Sequence, residues 1–156
     1  MPGNDLPIWV NYAQALVVPF VAVVGAGIAG GQLLLARRKM QLDLYDRRYK
    51  LFESARRLIV DVMREGRIEL ESIYAYHRDT GDAVFLLDSA AVSYIAELEK
   101  RSFRLRRLHV IIANDDHPQR DAAVDEEADL LGWFSDQFDV LVEKFTPSLR
   151  LMSKWL

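Results

Sequence analysis

The order of apolar and polar positions divides this chain before any residue type is weighed. From Ile8 to Ala36 there is no charged side chain, and the strongly polar ones are limited to Asn11, Gln14 and Gln32. From Leu42 onward apolar residues return at intervals of three and four: Leu42, Tyr45, Tyr49, Phe52, Ala55, Ile59 and Val62. The first pattern is a continuous apolar run, and the second is one face of an amphipathic helix. No Gly or Pro interrupts residues 32 to 65, so the sequence predicts one helix through both, ending at Glu65-Gly66-Arg67.

Further helices follow. Ile68 to about Leu87 carries Ile73, Tyr76, Val84 and Leu87, with Thr80-Gly81-Asp82 as a place to end or kink. Asp88-Ser89 is a predicted N-cap pair for a third helix bearing Ile95, Leu98, Ser102, Leu105, His109 and Ile112. Asn114 to Gln119 reads as a loop. A fourth helix from about Arg120 places Leu131, Phe134, Phe138, Leu141 and Phe145 together, and Thr146-Pro147 reads as the start of a short terminal helix. The predicted fold class is all-α: an N-terminal transmembrane helix continuing into a cytoplasmic antiparallel helical bundle.

About 20 helical residues cross a bilayer core of about 30 Å, so residues 8–36 are long enough to span with tilt to spare. Trp9 and Tyr12 suit the headgroup level, and Pro19 is expected to kink the helix. No Lys or Arg occurs before Arg37; Arg37, Arg38 and Lys39 follow the run directly and are expected to meet lipid headgroups. That asymmetry predicts residues 1–7 as an extracytoplasmic tail and residues 37–156 as a cytoplasmic helical domain, anchored in the cytoplasmic membrane. A cleaved signal peptide fits poorly, because no basic region precedes the run and the run is too long. A buried helix of a soluble fold seldom stays apolar for this length.

Val21–Gly30 reads VAVVGAGIAG, and Gly25, Gly27 and Gly30 satisfy G-x-G-x-x-G, with Asp46 following 21 residues after Gly25. Such glycines can seat a dinucleotide pyrophosphate at a strand–helix turn. The apolar run extends back to Ile8 without a turn, however, and no further β-α-β unit follows. The same small residues (Ala22, Ala26, Gly27, Gly30 and Gly31) lie on neighbouring ridges of one helix, where they let two backbones approach in lipid. Self-association of the span is the expectation, with dinucleotide binding as the lesser alternative. A pore lined by Gln14 or Gln32 is a further alternative.

Composition sharpens this picture modestly. The 156 residues carry 20 basic and 23 acidic side chains and no Cys, which excludes a disulfide scaffold and a strongly basic nucleic-acid binder. The mean hydropathy of −0.03 averages two unlike regions. Charge alternates along the chain: +5 over residues 37–67, −6 over 68–99, +5 over 100–109 and −6 over 110–156. Neighbouring antiparallel helices of opposite sign select one another, although exposed pairs are worth only about 0–1 kcal/mol each.

Leu42-Asp43-Leu44-Tyr45-Asp46-Arg47-Arg48-Tyr49 with Leu51-Phe52-Glu53 resembles the L-D-L-[FY]-D-[KR]-R-[FY] motif of a group of small, uncharacterised bacterial single-span membrane proteins. Ala83–Leu87, Trp133-Phe134-x-x-Gln137 and Phe145-x-Pro147 resemble further marks of that group, from which Gly81 and Ser148 depart. The resemblance implies a layout and carries no catalytic residue. Read physically, Asp43/Arg47 and Asp46/Lys50 are favourable i,i+4 pairs. Arg48 is placed to reach an acid on another helix. Tyr45, Tyr49 and Phe52, like Phe134 and Phe138, serve core or partner packing.

Candidates for chemistry are few. His109 reads as a core or interface histidine, His77 as a helix-end residue, and Asp115-Asp116-His117 as loop side chains rather than a metal site. Asp121, Asp125, Asp129 and Asp136 share a face expected to be solvated, with Arg101, Arg104 and Arg107 as possible partners. Lys100–Arg107 is basic enough for phosphate, but the acidic helix is a ready internal partner. No catalytic residue, metal or cofactor is assigned, and no nucleic-acid partner is expected. The expected function is anchoring a self-associating helical interaction surface, for its own copies or for an unidentified protein partner.

Overall fold

The computed structural model describes residues 8–150, and side chains from Val17 onward except Val18 and Pro19. The expected tail (residues 1–7), the last residues of the expected terminal helix, and the side chains of Trp9, Tyr12, Gln14 and Pro19 lie outside the described residues. The fold is all-α. In order it has α1 (Ile8–Glu65), α2 (Leu70–Thr80), α3 (Ala83–Leu86), α4 (Ser89–Ile112) and α5 (Arg120–Leu149). The chain divides between Leu42 and Asp43 into two compact units.

The N-terminal unit is helical from Ile8 onward. Its described side chains, from Val17 to Leu42 with the exceptions above, are all exposed.

The C-terminal unit is an antiparallel bundle built from the rest of α1 with α2, α4 and α5. Gly66 ends α1 in the left-handed region at φ 64°, and its N–H returns to the Val62 carbonyl at 2.8 Å. Glycine alone adopts that conformation without a Cβ penalty. Direction is fixed by cross-links. Arg48 and Phe52 of α1 meet Ser148 and Phe145 of α5. Tyr76 and His77 of α2 meet Ile95 and Glu99 of α4. Asp88, Tyr94 and Arg104 on the α4 side meet Ser148, Gln137 and Glu126 on the α5 side.

The core holds Ala55, Ile59 and Val62 of α1 with Ile73, Leu98, Leu105, Phe134, Leu141 and Phe145, all essentially sealed from solvent. Three buried polar side chains are satisfied within their own helices. Thr80 donates to Tyr76 O, Ser102 to Leu98 O, and the Gln137 amide to Trp133 O. Such back-bonding lets a polar side chain enter the core without an orphaned donor.

Three sequence expectations are corrected here. Of the two outcomes open at Thr80-Gly81-Asp82, the chain takes the end rather than the kink: α2 stops at Thr80 short of Leu87, and Gly81 and Asp82 reset the chain before α3. The reset rotates the buried position to Ala83, so Val84 points outward instead of joining Ile73 and Tyr76. Thr146-Pro147 does not begin a new helix, because Phe145 and Ser148 continue the α5 core seam and hold that turn helical. Proline removes one N–H there, close to the helix end where the loss is smallest. The α5 seam itself is Ala123, Leu130, Phe134, Gln137, Leu141, Phe145 and Ser148, which leaves Phe138 exposed and Leu131 half-buried.

Candidate membrane and interaction site

Three surfaces merit description: the apolar segment, the clamp at the Arg48 end of the bundle, and the charged faces of α4 and α5.

Among the described residues, one helix is long and apolar enough to cross a membrane, and none of its apolar window is buried. Ala22, Ala26, Gly27, Gly30 and Gly31 are all exposed on it, and a Cβ built at Gly27, Gly30 or Gly31 meets no atom within 4 Å. The backbone ridge is open along these positions. Val21–Gly31 is helical throughout, and no strand occurs among the described residues. The strand–turn–helix geometry of a dinucleotide fingerprint is therefore not formed around Gly25, Gly27 and Gly30. Arg37, Arg38 and Lys39 are exposed on the following turn.

Arg48 has an internal role. Its Nη1 donates to the Ser148 carbonyl at 2.9 Å, and its Nε is buried with no partner among the described residues. Ser148 Oγ donates to Asp88 Oδ2 at 2.9 Å and accepts the Asp88 N–H at 3.1 Å. Asp88 Oδ1 caps α4 by accepting the Ala91 N–H at 2.9 Å, as the Asp88-Ser89 pair predicted. The Ala91 N–H first, then the Ser148 hydroxyl, with the Arg48 charge contributing, hold the Asp88 carboxyl below the ordinary range. The acid awaiting Arg48 is thus reached through a serine. The small hydroxyl of Ser148 completes the link. Composition alone carries no signal for it.

The aromatic ladder of α1 is real but lies at the bundle surface. Tyr45 and Tyr49 stack at 6.1 Å, Tyr49 and Phe52 sit 5.8 Å apart, and Phe52 meets Phe145 edge-on at 5.6 Å. Tyr45 and Phe52 are half-buried and Tyr49 is exposed. Phe134 is fully buried, whereas Phe138 is exposed.

The charged partners differ from those expected. Arg104 pairs with Glu126 through two hydrogen bonds, which raise the guanidinium and lower the carboxyl from their ordinary values. Arg101 is held by Glu97 at 2.6 Å and lies 4.1 Å over the Trp133 ring. His109 Nε2 stands 2.6 Å from Glu127 Oε1 at the α4–α5 edge, out of line for a directed hydrogen bond. Asp121, Asp125, Asp129 and Asp136 remain exposed because they lie opposite the core seam, while Glu126 and Glu127 flank it. Lys100–Arg107 therefore lines an open groove whose arginines at 101 and 104 are already engaged.

The histidines and loop acids serve local structure. His77 Nδ1 is 2.8 Å from Glu99 Oε1 near the end of α2. Asp115 approaches Arg120 at 3.4 Å, the Asp116 N–H donates to Asn114 Oδ1, and His117 Nδ1 accepts the Gln119 N–H. Burial raises the Tyr76 and Tyr94 hydroxyls above their ordinary range, and both donate to backbone carbonyls in the core. They are structural phenols.

No family model, curated protein or solved structure matches this chain.

Proposed function

We propose that the protein is a single-pass membrane anchor that presents a helical interaction domain. Residues 8–36 cross the cytoplasmic membrane with the N-terminus outside, and the bundle lies in the cytoplasm. The observation that carries this reading is the α1 segment from Val17 to Leu35, whose described apolar side chains are all exposed. In water that surface is costly at roughly 25 cal/mol per Å²; in lipid it is the required surface. Arg37, Arg38 and Lys39 then meet anionic headgroups and set the orientation. The open ridge of Ala22, Ala26, Gly27, Gly30 and Gly31 is the packing face between spans. The protein acts by holding its bundle at the membrane surface for its own copies or a protein partner, and no catalytic step is assigned to it.

Alkaline-carbonate extraction of membranes tests the anchor: retention is expected, and release into the supernatant would overturn it. The chain has no Cys, so single cysteines report orientation. Asn4→Cys is expected to react with an impermeant maleimide on intact cells and Asp116→Cys only after lysis; the reverse would overturn the topology. Replacing Gly27 with Leu is expected to weaken span association in a membrane two-hybrid assay.

A further inference from the structure

The outer faces of α1 and α5 carry apolar stripes that the bundle leaves partly uncovered. On α5, Val124, Ala128, Leu131, Ser135, Phe138 and Val142 recur at alternating steps of four and three, the spacing of a coiled-coil seam. It runs beside the buried seam, and Val124, Phe138 and Val142 are exposed along it. On α1 the ladder Tyr45, Tyr49 and Phe52 continues at helical spacing through Arg56 to Val60 and Met63, of which Tyr49, Val60 and Met63 are exposed. The Phe52–Phe145 contact, where the ladder meets the buried seam of α5, holds the two stripe-bearing helices side by side in the C-terminal unit. Aromatics, methionine and arginine are the residues enriched at protein interfaces.

Charge says what covers this face. Beside the α5 stripe the exposed charges are acids, Asp121, Asp139 and Glu143 among them, and within the α1 stripe sits Arg56. Neither Arg56 nor Asp139 has an ion-pair partner among the described residues. The antiparallel contacts Arg48–Ser148 and Phe52–Phe145 put Arg56 at the level of about Leu141, within a turn of Asp139. A twofold axis parallel to the helices lays each chain's α1 on the other's α5. That operation brings Arg56 of one copy to Asp139 of the other, twice per pair, and closes the apolar stripes on one another.

We propose that the α1–α5 face is where two copies of this chain pair. The pairing deepens the anchored, self-associating reading and rests on it, since parallel spans in one bilayer supply the copies side by side at high effective concentration.

The test uses the full chain in detergent micelles, with donor- and acceptor-tagged copies reporting association by energy transfer. Phe138→Glu is expected to weaken pairing at least about tenfold, as a charge placed in a buried interface centre does. Arg56→Glu and Asp139→Arg are each expected to weaken self-pairing about fivefold, because each sets like charges opposite one another. Mixed together, those two single variants are expected to favour the heterodimer over either homodimer, because only the mixed pair restores both opposite-charge contacts. The mixed-pair preference cannot arise within one chain and does not depend on Phe138→Glu folding normally. A statistical mixture would overturn the proposal, as would a wild-type chain that stays monomeric. If the charge variants have no effect while Gly27→Leu abolishes association, this face fails and the span reading stands. Carbonate release would instead sink the anchor, whatever the pairing shows.

Discussion

Ile28 in the N-terminal unit is 58% exposed and Val110 in the bundle is 61% exposed, yet the two exposures have different meanings. Val110 is an outward position on a helix whose other face, Leu98, Ser102, Leu105 and Leu108, is buried. Ile28 belongs to a helix with no buried face among its described residues before Asp43. A bundle helix sorts its residues by direction and tolerates a few apolar side chains outside. A segment that sorts nothing is long and apolar enough to cross a membrane and has no face suited to a core. Exposure therefore diagnoses an environment only when read with the rest of the helix.

The comparison can be broken at several points. The largest effect is expected inside the bundle. Phe134→Ala empties a fully buried site and should cost about 3–5 kcal/mol, read as a lower thermal midpoint of the full chain in mild detergent, with membrane retention unchanged. Next comes the span. Ile28→Arg should cost about 2.5–3.5 kcal/mol of insertion and release a measurable fraction of the chain in carbonate. The matched Val110→Arg should change stability by less than about 0.5 kcal/mol. Equal responses at these two positions would remove the distinction between the units.

A smaller effect is expected at the α4 cap. Asp88→Ala removes the acceptor for the Ala91 N–H and should cost about 0.5–2 kcal/mol. Because the native Asp88 carboxyl is held low, its stabilisation is complete above the ordinary Asp range and is lost as pH falls through the lower native value. Asp88→Asn keeps the cap acceptor and should flatten that acid limb in a pH series of thermal melts. The smallest effect is at α3, where Phe85 is 84% exposed. Phe85→Ser should change stability by less than about 0.5 kcal/mol, read from thermal melts, and a large loss would show that α3 packs more deeply than its exposure indicates.

Much of this architecture follows from pattern. Gly66 ended the first helix because a left-handed cap needs glycine, and Asp88 capped α4 because a short carboxylate reaches the third N–H ahead. Phe134, Leu141 and Phe145 were legible as one buried stripe because their spacing matches the helical repeat. Phe138 shares that spacing just as well and is outside. Periodicity defines a sector of a helix, and α5 carries two adjacent apolar seams, so only the position of α1 and α4 against it selects the buried one.

The same limit applies to the ends of elements and to the ion pairs. Pro147 reads as a helix start by local rules, and tertiary packing of Phe145 and Ser148 overrides it. Net charge foretold attraction between α4 and α5, while the chosen acids, Glu126 and Glu127, depended on the angle between seam and flank. The sequence by itself determined the all-α class, the division into an unsorted apolar segment and a sorted amphipathic one, and the caps between helices. These are properties of neighbours within about one turn, where covalent geometry sets distance. Which seam was buried, which acid met which arginine, and how Arg48, Asp88 and Ser148 became linked were decided by residues 22 to 100 positions apart. Only the packed bundle brings such residues within hydrogen-bonding reach.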